Sequence, residues 1–347
     1  MAVDYKKILI IKPSALGDIV HSLPFLAAVH DRYPRAEIHW VVARGLHRFL
    51  EGHAMITRLW IMDKEQWKQP RRLRRSLAEI VRFGRGLRRE HFDVSIDLSG
   101  LLRSGLVTWA AGARERLGFS DSDEGSPFFY NRKIVGGDAI HAIDRYLKLA
   151  RLMDCDVAGI RYPMAPLPDS TPLLDSLPEE FCVITPSAGK KANRWPAERF
   201  GALAASLPLP SVIVGGQSDT SVAETVVQHG GGQATSVAGK TGLKELVTLI
   251  GRARFMVCND TGPMHIAAAL GVPVFAIFGP ANPVRTGPYG EIHTVIQRNM
   301  DCAPCYRWQP CDHWQCMLDL SVQEVASIIA TSLEKGLPGP GKKQDNQ

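Results

Sequence analysis

A chain of 347 residues exceeds what one hydrophobic core usually serves, so two domains of ordinary size are expected. An apolar fraction of 45% with 22% charged residues excludes a disordered or fibrous chain, and no apolar run reaches the roughly 18 residues of a membrane span. The net charge of +6 is unevenly placed: between Lys64 and Arg89 ten Lys/Arg stand against Glu65 and Glu79, which leaves the remainder of the chain slightly negative.

The first strand candidate is "KILIIK" (7–12), which runs into "KPSALGDIVHSLP", Lys12 to Pro24, a small-residue turn carrying Asp18 ahead of a helix. Lys12 and Asp18 break the early apolar run, unlike a signal peptide's core, and seven cysteines without regular pairing fit a reducing compartment. The expected location is therefore the cytoplasm. Taken structurally, Asp18 would cap a helix beginning near Ile19.

Further first-half strands are "EIHWVV" (37–42), "RLWIM" (58–62) and "FDVSIDL" (92–98). The basic segment 64–89 has Leu73, Leu77, Ile80, Val81 and Leu87 at near-helical spacing, which predicts an amphipathic helix with arginines outside. Ten cations against two anions cannot pair among themselves, so an anionic partner is expected there. A nucleic acid is disfavoured, because the chain has no recognised nucleic-acid module and no basic excess elsewhere.

Proline-rich "GIRYPMAPLPDSTPLLDSLPEE" (159–180) reads as a boundary. The expected division is a first domain over 1–165, a linker over 166–180, a second domain over 181–334 and a disordered tail over 335–347. Second-half strands are "FCVITP" (181–186), "SVIVGG" (211–216), "RFMVCND" (254–260) and "VPVFAIFG" (272–279), and the first of these, like strand 7–12, leads into Pro-Ser-Ala. Strands alternating with helices predict an α/β class with two doubly wound parallel sheets, whose ligands sit beyond the carboxyl ends of the strands.

The sharpest local signal is "CNDTGPMHIAAALGVPVFAIFGP", Cys258 to Pro280. Asp260 or Thr261 can cap the helix, Pro263 and His265 fall in its first turn, and Gly262 leaves amides open to a phosphate. A capped crossover helix without a ligand is the plainer alternative. "DSD" (121–123) and "DCD" (154–156) match a metal-placing Asp-x-Asp, but neither follows a convincing buried strand. The C-terminal "CAPCYRWQPCDHWQC" places Cys302, Cys305, Cys311 and Cys316 beside His313, and its later spacings are irregular for structural zinc, which favours packing.

"NDTGPMHIAAALGVPVFAIFGPANPVRTGPYG" together with "KPSALGDIVHSLP" resembles glycosyltransferase family 9, the ADP-heptose:lipopolysaccharide heptosyltransferases, from about Lys7 to about Val325. Within it, "EIHWVV", "FDVSIDLSGLLRSG" and "SPFFYNRK" are most similar to heptosyltransferase I. The resemblance implies a GT-B fold, two Rossmann-like domains facing across a cleft, inversion at the anomeric carbon, and neither metal nor cofactor. It makes Asp18 the general base. Asp260, Thr261, Gly262 and His265 would hold the diphosphate of an ADP-sugar donor. "TPSAGKKANRWPAERF", with Thr185 and Ser187, would form the other wall of the nucleotide site. Where the family carries a lysine before Trp-Pro this chain has Asn193, so Lys190, Lys191 or Arg194 would supply the charge. Asp219 falls where a family acid holds the ribose, and Thr241 near the adenine pocket. The acceptor is then an anionic lipid A bearing Kdo, met by Arg71, Arg72, Arg74, Arg75 and Arg103 at the inner leaflet of the inner membrane, by a protein acting as a monomer.

Overall fold

The computed structural model describes residues 4–63 and 73–336, which fall into two compact units, Met1–Pro166 and Leu167–Gln347. The first holds six strands: β1 (Lys7–Ile11), β2 (Glu37–Ala43), β3 (Arg58–Met62), β4 (Val94–Asp97), β5 (Glu115–Phe119) and β6 (Arg132–Ile134). The second holds β7 (Cys182–Thr185), β8 (Ser211–Ile213), β9 (Ala234–Ser236), β10 (Met256–Asn259), β11 (Val274–Phe278) and β12 (Thr294–Gln297). The sheet orders are β3-β2-β1-β4-β5-β6 and β12-β11-β10-β7-β8-β9, all ladders parallel. Each unit is thus the same doubly wound arrangement, with its order reversing beside its own first strand.

Helices cover both faces of a parallel sheet, so its central strands carry apolar residues without alternation. Ile8 to Ile11 of β1 and all of β4, β7, β10 and β11 are buried accordingly. The eight predicted strands are present, shortened by a residue or more at most ends. β5, β6, β9 and β12 were not predicted. β6, β9 and β12 are edge strands of three or four residues, and β5 opens on half-buried Glu115 and Arg116, so none has the continuous apolar run of a central strand.

The amphipathic segment forms a helix over Leu73–Arg89. Phe83 meets Trp60 of β3 edge-on at 6.0 Å, and Gly86 allows that indole close, since a Cβ there would stand 3.0 Å from it. Residues 64–72 of the expected helix, with Arg71 and Arg72, lie outside the described residues. Within 166–180, Thr171 caps a single turn, Pro172–Asp175, by accepting from the Leu174 N–H at 3.2 Å. The Pro-Ser-Ala echo has a structural counterpart: Pro13-Ser14-Ala15 and Pro186-Ser187-Ala188 follow the first strands of the two sheets.

Candidate active site

In the first unit the order reverses between β1 and β4, and the polar groups gather there. The chain leaves β1 through Lys12 to Ala15 and enters the helix Leu16–His21. That helix begins earlier than Ile19, so Asp18 is its third residue rather than its cap. The Asp18 Oδ2 accepts the backbone N–H of Ala15 at 2.8 Å, the returning half of a capping box. Lys12 Nζ lies 3.7 Å from the same oxygen.

Lys12 is buried, donates to the Leu98 carbonyl at 3.3 Å and lies 5.0 Å from the Tyr146 ring centroid. Burial opposes its charge, but the Asp18 carboxylate, Tyr146 and Asp97 outweigh that, so its pKa is raised and the ammonium persists. The Asp18 side chain keeps 39% exposure, so a carboxylate tethered on one side remains open to a reactant on the other. Lys12 was not assigned from sequence, because a single lysine at a strand end has no local signature.

Asp97, also unassigned, ends β4 opposite Ile11 and is fully buried. Tyr130 donates to it at 2.7 Å, the Ser99 N–H at 2.8 Å and the Gly100 N–H at 3.1 Å. Burial raises its pKa against the pull of these donors. Tyr130 reaches it because Gly118 of β5 has no side chain; a Cβ there would stand 2.3 Å from the ring. Asp97 therefore builds the loop behind Lys12 and is not offered to solvent.

In the second unit the reversal lies between β7 and β10. Thr185 Oγ1, Ser187 Oγ and Asn193 Oδ1 are buried there without a hydrogen-bond partner among the described residues. An unpaired buried polar group costs about 1–3 kcal/mol, so three together fit a polar ligand. Asn193 Nδ2 donates to Asp260 Oδ2 at 3.0 Å. Asn259 ties the two loops, accepting from the Trp195 N–H at 3.0 Å and donating to the Pro186 carbonyl at 2.7 Å.

The next helix, Gly262–Ala269, starts beside these groups. Thr261 takes the N-cap position in an extended conformation, yet its side chain makes no capping bond, contrary to expectation. The helix's first amides are therefore not taken by that side chain, and a helix start of this kind favours an anion. His265 is 7% exposed and so faces inward.

Of the remaining assigned cations, Lys190 and Arg194 are turned to structural partners. Lys190 Nζ donates to the Tyr306 carbonyl at 3.2 Å and lies over the Tyr306 and Trp308 rings at 5.7 and 5.5 Å. Arg194 Nε donates to the Ala188 carbonyl at 2.8 Å, and Lys191 is exposed at the start of the turn Lys191–Asn193. Asp219 accepts the Gly216 N–H at 2.9 Å, closing the turn after β8. Thr241 is half-buried just before the helix Leu243–Arg252. Arg74 and Arg75 fall in the first turn of the helix Leu73–Arg89, and Arg103 is exposed on the helix Leu102–Ala111.

Asp121 of "DSD" does follow a strand, β5, which corrects the sequence reading. It accepts the Gly136 and Gly137 N–H groups at 3.0 and 2.7 Å and pairs with Arg145 at 2.9 Å. Burial alone would raise its pKa, but these partners hold it down at about 2. The cysteine block braces the second unit's site: Trp314 Nε1 donates to the Ala192 carbonyl at 2.8 Å, and the Ala192 N–H donates to the Trp308 carbonyl at 3.2 Å. Its four thiols are free and line, with His313, a cavity of about 20 Å³, where burial and the neighbouring thiols push Cys316 up to about 11. Among the described residues no group of three or more His, Cys, Asp or Glu is placed to hold a metal ion.

Comparison with known proteins places the family and the fold. The sequence model of glycosyltransferase family 9 (heptosyltransferase) matches residues 80–314. Lipopolysaccharide heptosyltransferase 1 of Pseudomonas aeruginosa is 27% identical, with 96% of this chain and 99% of that protein covered. The Escherichia coli K12 protein of the same name is also 27% identical, over 84% and 93%. Among solved structures, a family 9 glycosyltransferase from Veillonella parvula superposes with a TM-score of 0.80 at 21% identity, covering 97% of this chain and 99% of that one. ADP-heptose lps heptosyltransferase II of Escherichia coli gives 0.74 at 24% identity, over 95% and 99%. The folds of the two six-stranded units are therefore those of the GT-B heptosyltransferases. The chain belongs to glycosyltransferase family 9, the heptosyltransferases, and is a sugar-transferring enzyme.

Proposed function

We propose that this enzyme acts in lipopolysaccharide inner-core synthesis, moving L-glycero-D-manno-heptose from ADP-heptose to Kdo-lipid A with inversion and without metal or cofactor. The observation that carries this reading is the half-buried Asp18 carboxylate at the first sheet's order reversal, anchored by the Ala15 N–H and the buried Lys12 ammonium. In the reaction an acceptor hydroxyl oxygen attacks C1 of the heptose while Asp18 takes its proton. The C1–oxygen bond to the β-phosphate breaks, and its electron pair leaves with ADP. Attack opposite the leaving group inverts the anomeric carbon.

The second unit answers the leaving group's needs. Thr185, Ser187, Asp260, Thr261, Gly262 and His265 frame the donor site, and the amides of the helix start face the charge that grows on the β-phosphate. Asn193 stands where the family has a lysine and holds Asp260 by its amide. Lys190, Lys191 and Arg194 border this crevice, with Asp219 and Thr241 at the ribose and adenine ends. Arg71, Arg72, Arg74, Arg75 and Arg103 meet the anionic acceptor at the inner leaflet of the inner membrane, where the protein works from the cytoplasm as a monomer. No helix among the described residues is long and apolar enough to cross a membrane.

Incubation with ADP-heptose and acceptors bearing Kdo alone or Kdo plus heptose, followed by mass analysis, is expected to show one heptose added to Kdo-lipid A. Transfer only to the acceptor already carrying heptose would assign a later step, and donor consumption without acceptor would remove the transferase reading. Thr185→Val is expected to weaken ADP binding about tenfold in a calorimetric titration while leaving the Tm of the empty protein unchanged, because the hydroxyl it removes has no partner within the described protein. A lowered Tm with unchanged ADP affinity would make that hydroxyl structural.

A further inference from the structure

The first unit carries an outward face that sugar transfer by itself does not explain. Leu102, Leu106 and Trp109 recur at spacings of four and three along the helix Leu102–Ala111, and are 45%, 46% and 59% exposed. They form one stripe along the solvent side. The buried stripe of the same helix is Ser104, Gly105, Thr108 and Ala111. The usual amphipathic pattern is inverted here: large apolar side chains look outward, while small and hydroxyl residues pack inward.

Two neighbouring elements extend this stripe. The single turn Ser126–Phe129 packs on the helix with the Phe129 ring against Gly105, and leaves Phe128 92% exposed. On another side Gly84 lies against Ala110, and the turn of helix before Gly84 carries the exposed Ile80 and Val81. Single exposed apolar residues are ordinary on a protein surface, but six on three packed elements mark a contact site. On the same two helices Arg82, Arg85, Arg88, Arg89 and Arg103 are exposed, Arg82 and Arg89 lining a groove with Trp60, Glu79 and Glu90, and Asp123 and Glu124 are exposed shortly before Phe128.

We propose that this face docks on an anionic lipid bilayer, with Trp109 and Phe128 entering the headgroup–acyl boundary and the arginines meeting lipid phosphates. Charge complementarity selects this occupant. A second copy of the chain, meeting face to face about a twofold axis, would set one arginine-rich rim on another. An anionic membrane satisfies both the apolar stripe and the cations. The placement also suits the lipid-anchored acceptor of the proposed function, on which this point rests. The helix Leu102–Ala111 starts shortly after β4, at the carboxyl edge where Lys12 bonds Leu98 and pairs with Asp18. A bilayer seated on this helix therefore brings headgroup sugars towards the base.

The test is co-sedimentation of the full chain with vesicles of phosphatidylcholine alone or mixed with phosphatidylglycerol, with no donor or acceptor present. Wild type is expected to bind the anionic vesicles and not the neutral ones. The double variant Trp109→Ser, Phe128→Ser is expected to bind them at least about tenfold more weakly, with unchanged Tm and unchanged kcat/KM on an acyl-free acceptor. Equal partitioning of variant and wild type, or no wild-type binding to anionic vesicles, would overturn the proposal. So would a wild-type dimer in solution that the double variant abolishes, since the face would then belong to a second copy. Vesicle binding that persists while heptose transfer fails would leave this surface standing and remove the proposed substrate.

Discussion

Asp18→Asn is expected to lower kcat by about 10²–10⁴ while the protein keeps its fold, the contribution typical of a positioned general base. The substitution is nearly isosteric, and its amide oxygen can still accept the Ala15 N–H that Asp18 holds at 2.8 Å. What it cannot do is accept a proton from the attacking hydroxyl. Steady-state transfer assays together with thermal melts separate the two roles, because a lost cap would appear as a lowered Tm of about 1 kcal/mol equivalent and leave kcat nearly intact. Asp18→Ala should show both losses. A variant that transfers sugar at close to the wild-type rate would remove Asp18 from the chemistry and leave it as a helix-terminus residue only.

Lys12→Met is the second large effect. The ammonium is buried against the Leu98 carbonyl and the Tyr146 ring, with Asp18 at 3.7 Å. Removing it leaves Asp97 and Asp18 without their shared cation. The expected destabilisation is about 1–3 kcal/mol, below that of a fully buried broken pair because water reaches Asp18 and repays part of the loss. The pH dependence carries a definite sign. Lys12 has a raised pKa in the folded protein, so its contribution is fully present below its unfolded value near 10.5 and is lost as pH rises through the folded value. Wild type should lose this stability at alkaline pH, and Lys12→Met should not. An alkaline loss of stability that is the same in Lys12→Met as in wild type would remove the Lys12 ammonium from this account.

The parts of the molecule that could be read from residue order are those specified by near neighbours. Apolar β-branched runs such as "KILII" and "VFAIF" mark strands buried on both faces, and their alternation with helices implies two parallel sheets. The turn holding Asp18 and the helix start after Asp260 are visible for the same reason, since Gly, Pro and capping residues act within one turn of chain. Short edge strands escaped: "RKI" and "ATS" are strands because β5 and β8 offer them partners, not because of their own composition.

The chemical settings of the candidate site belong to tertiary structure. Lys12 meets Leu98 across 86 positions, and Asn193 meets Asp260 across 67. Crossover helices bring the first and fourth strands of each unit side by side, and only then do Lys12, Asp18 and Asp97 become one electrostatic cluster. The same placement buries the hydroxyls of Thr185 and Ser187 without partners among the described residues. Burial and the distance between charges set what an ionisable group does, and both arise from residues far apart along the chain. The residue order alone therefore determined which family's fold forms; packing decided which lysine meets Asp18 and which hydroxyls are buried without a partner among the described residues.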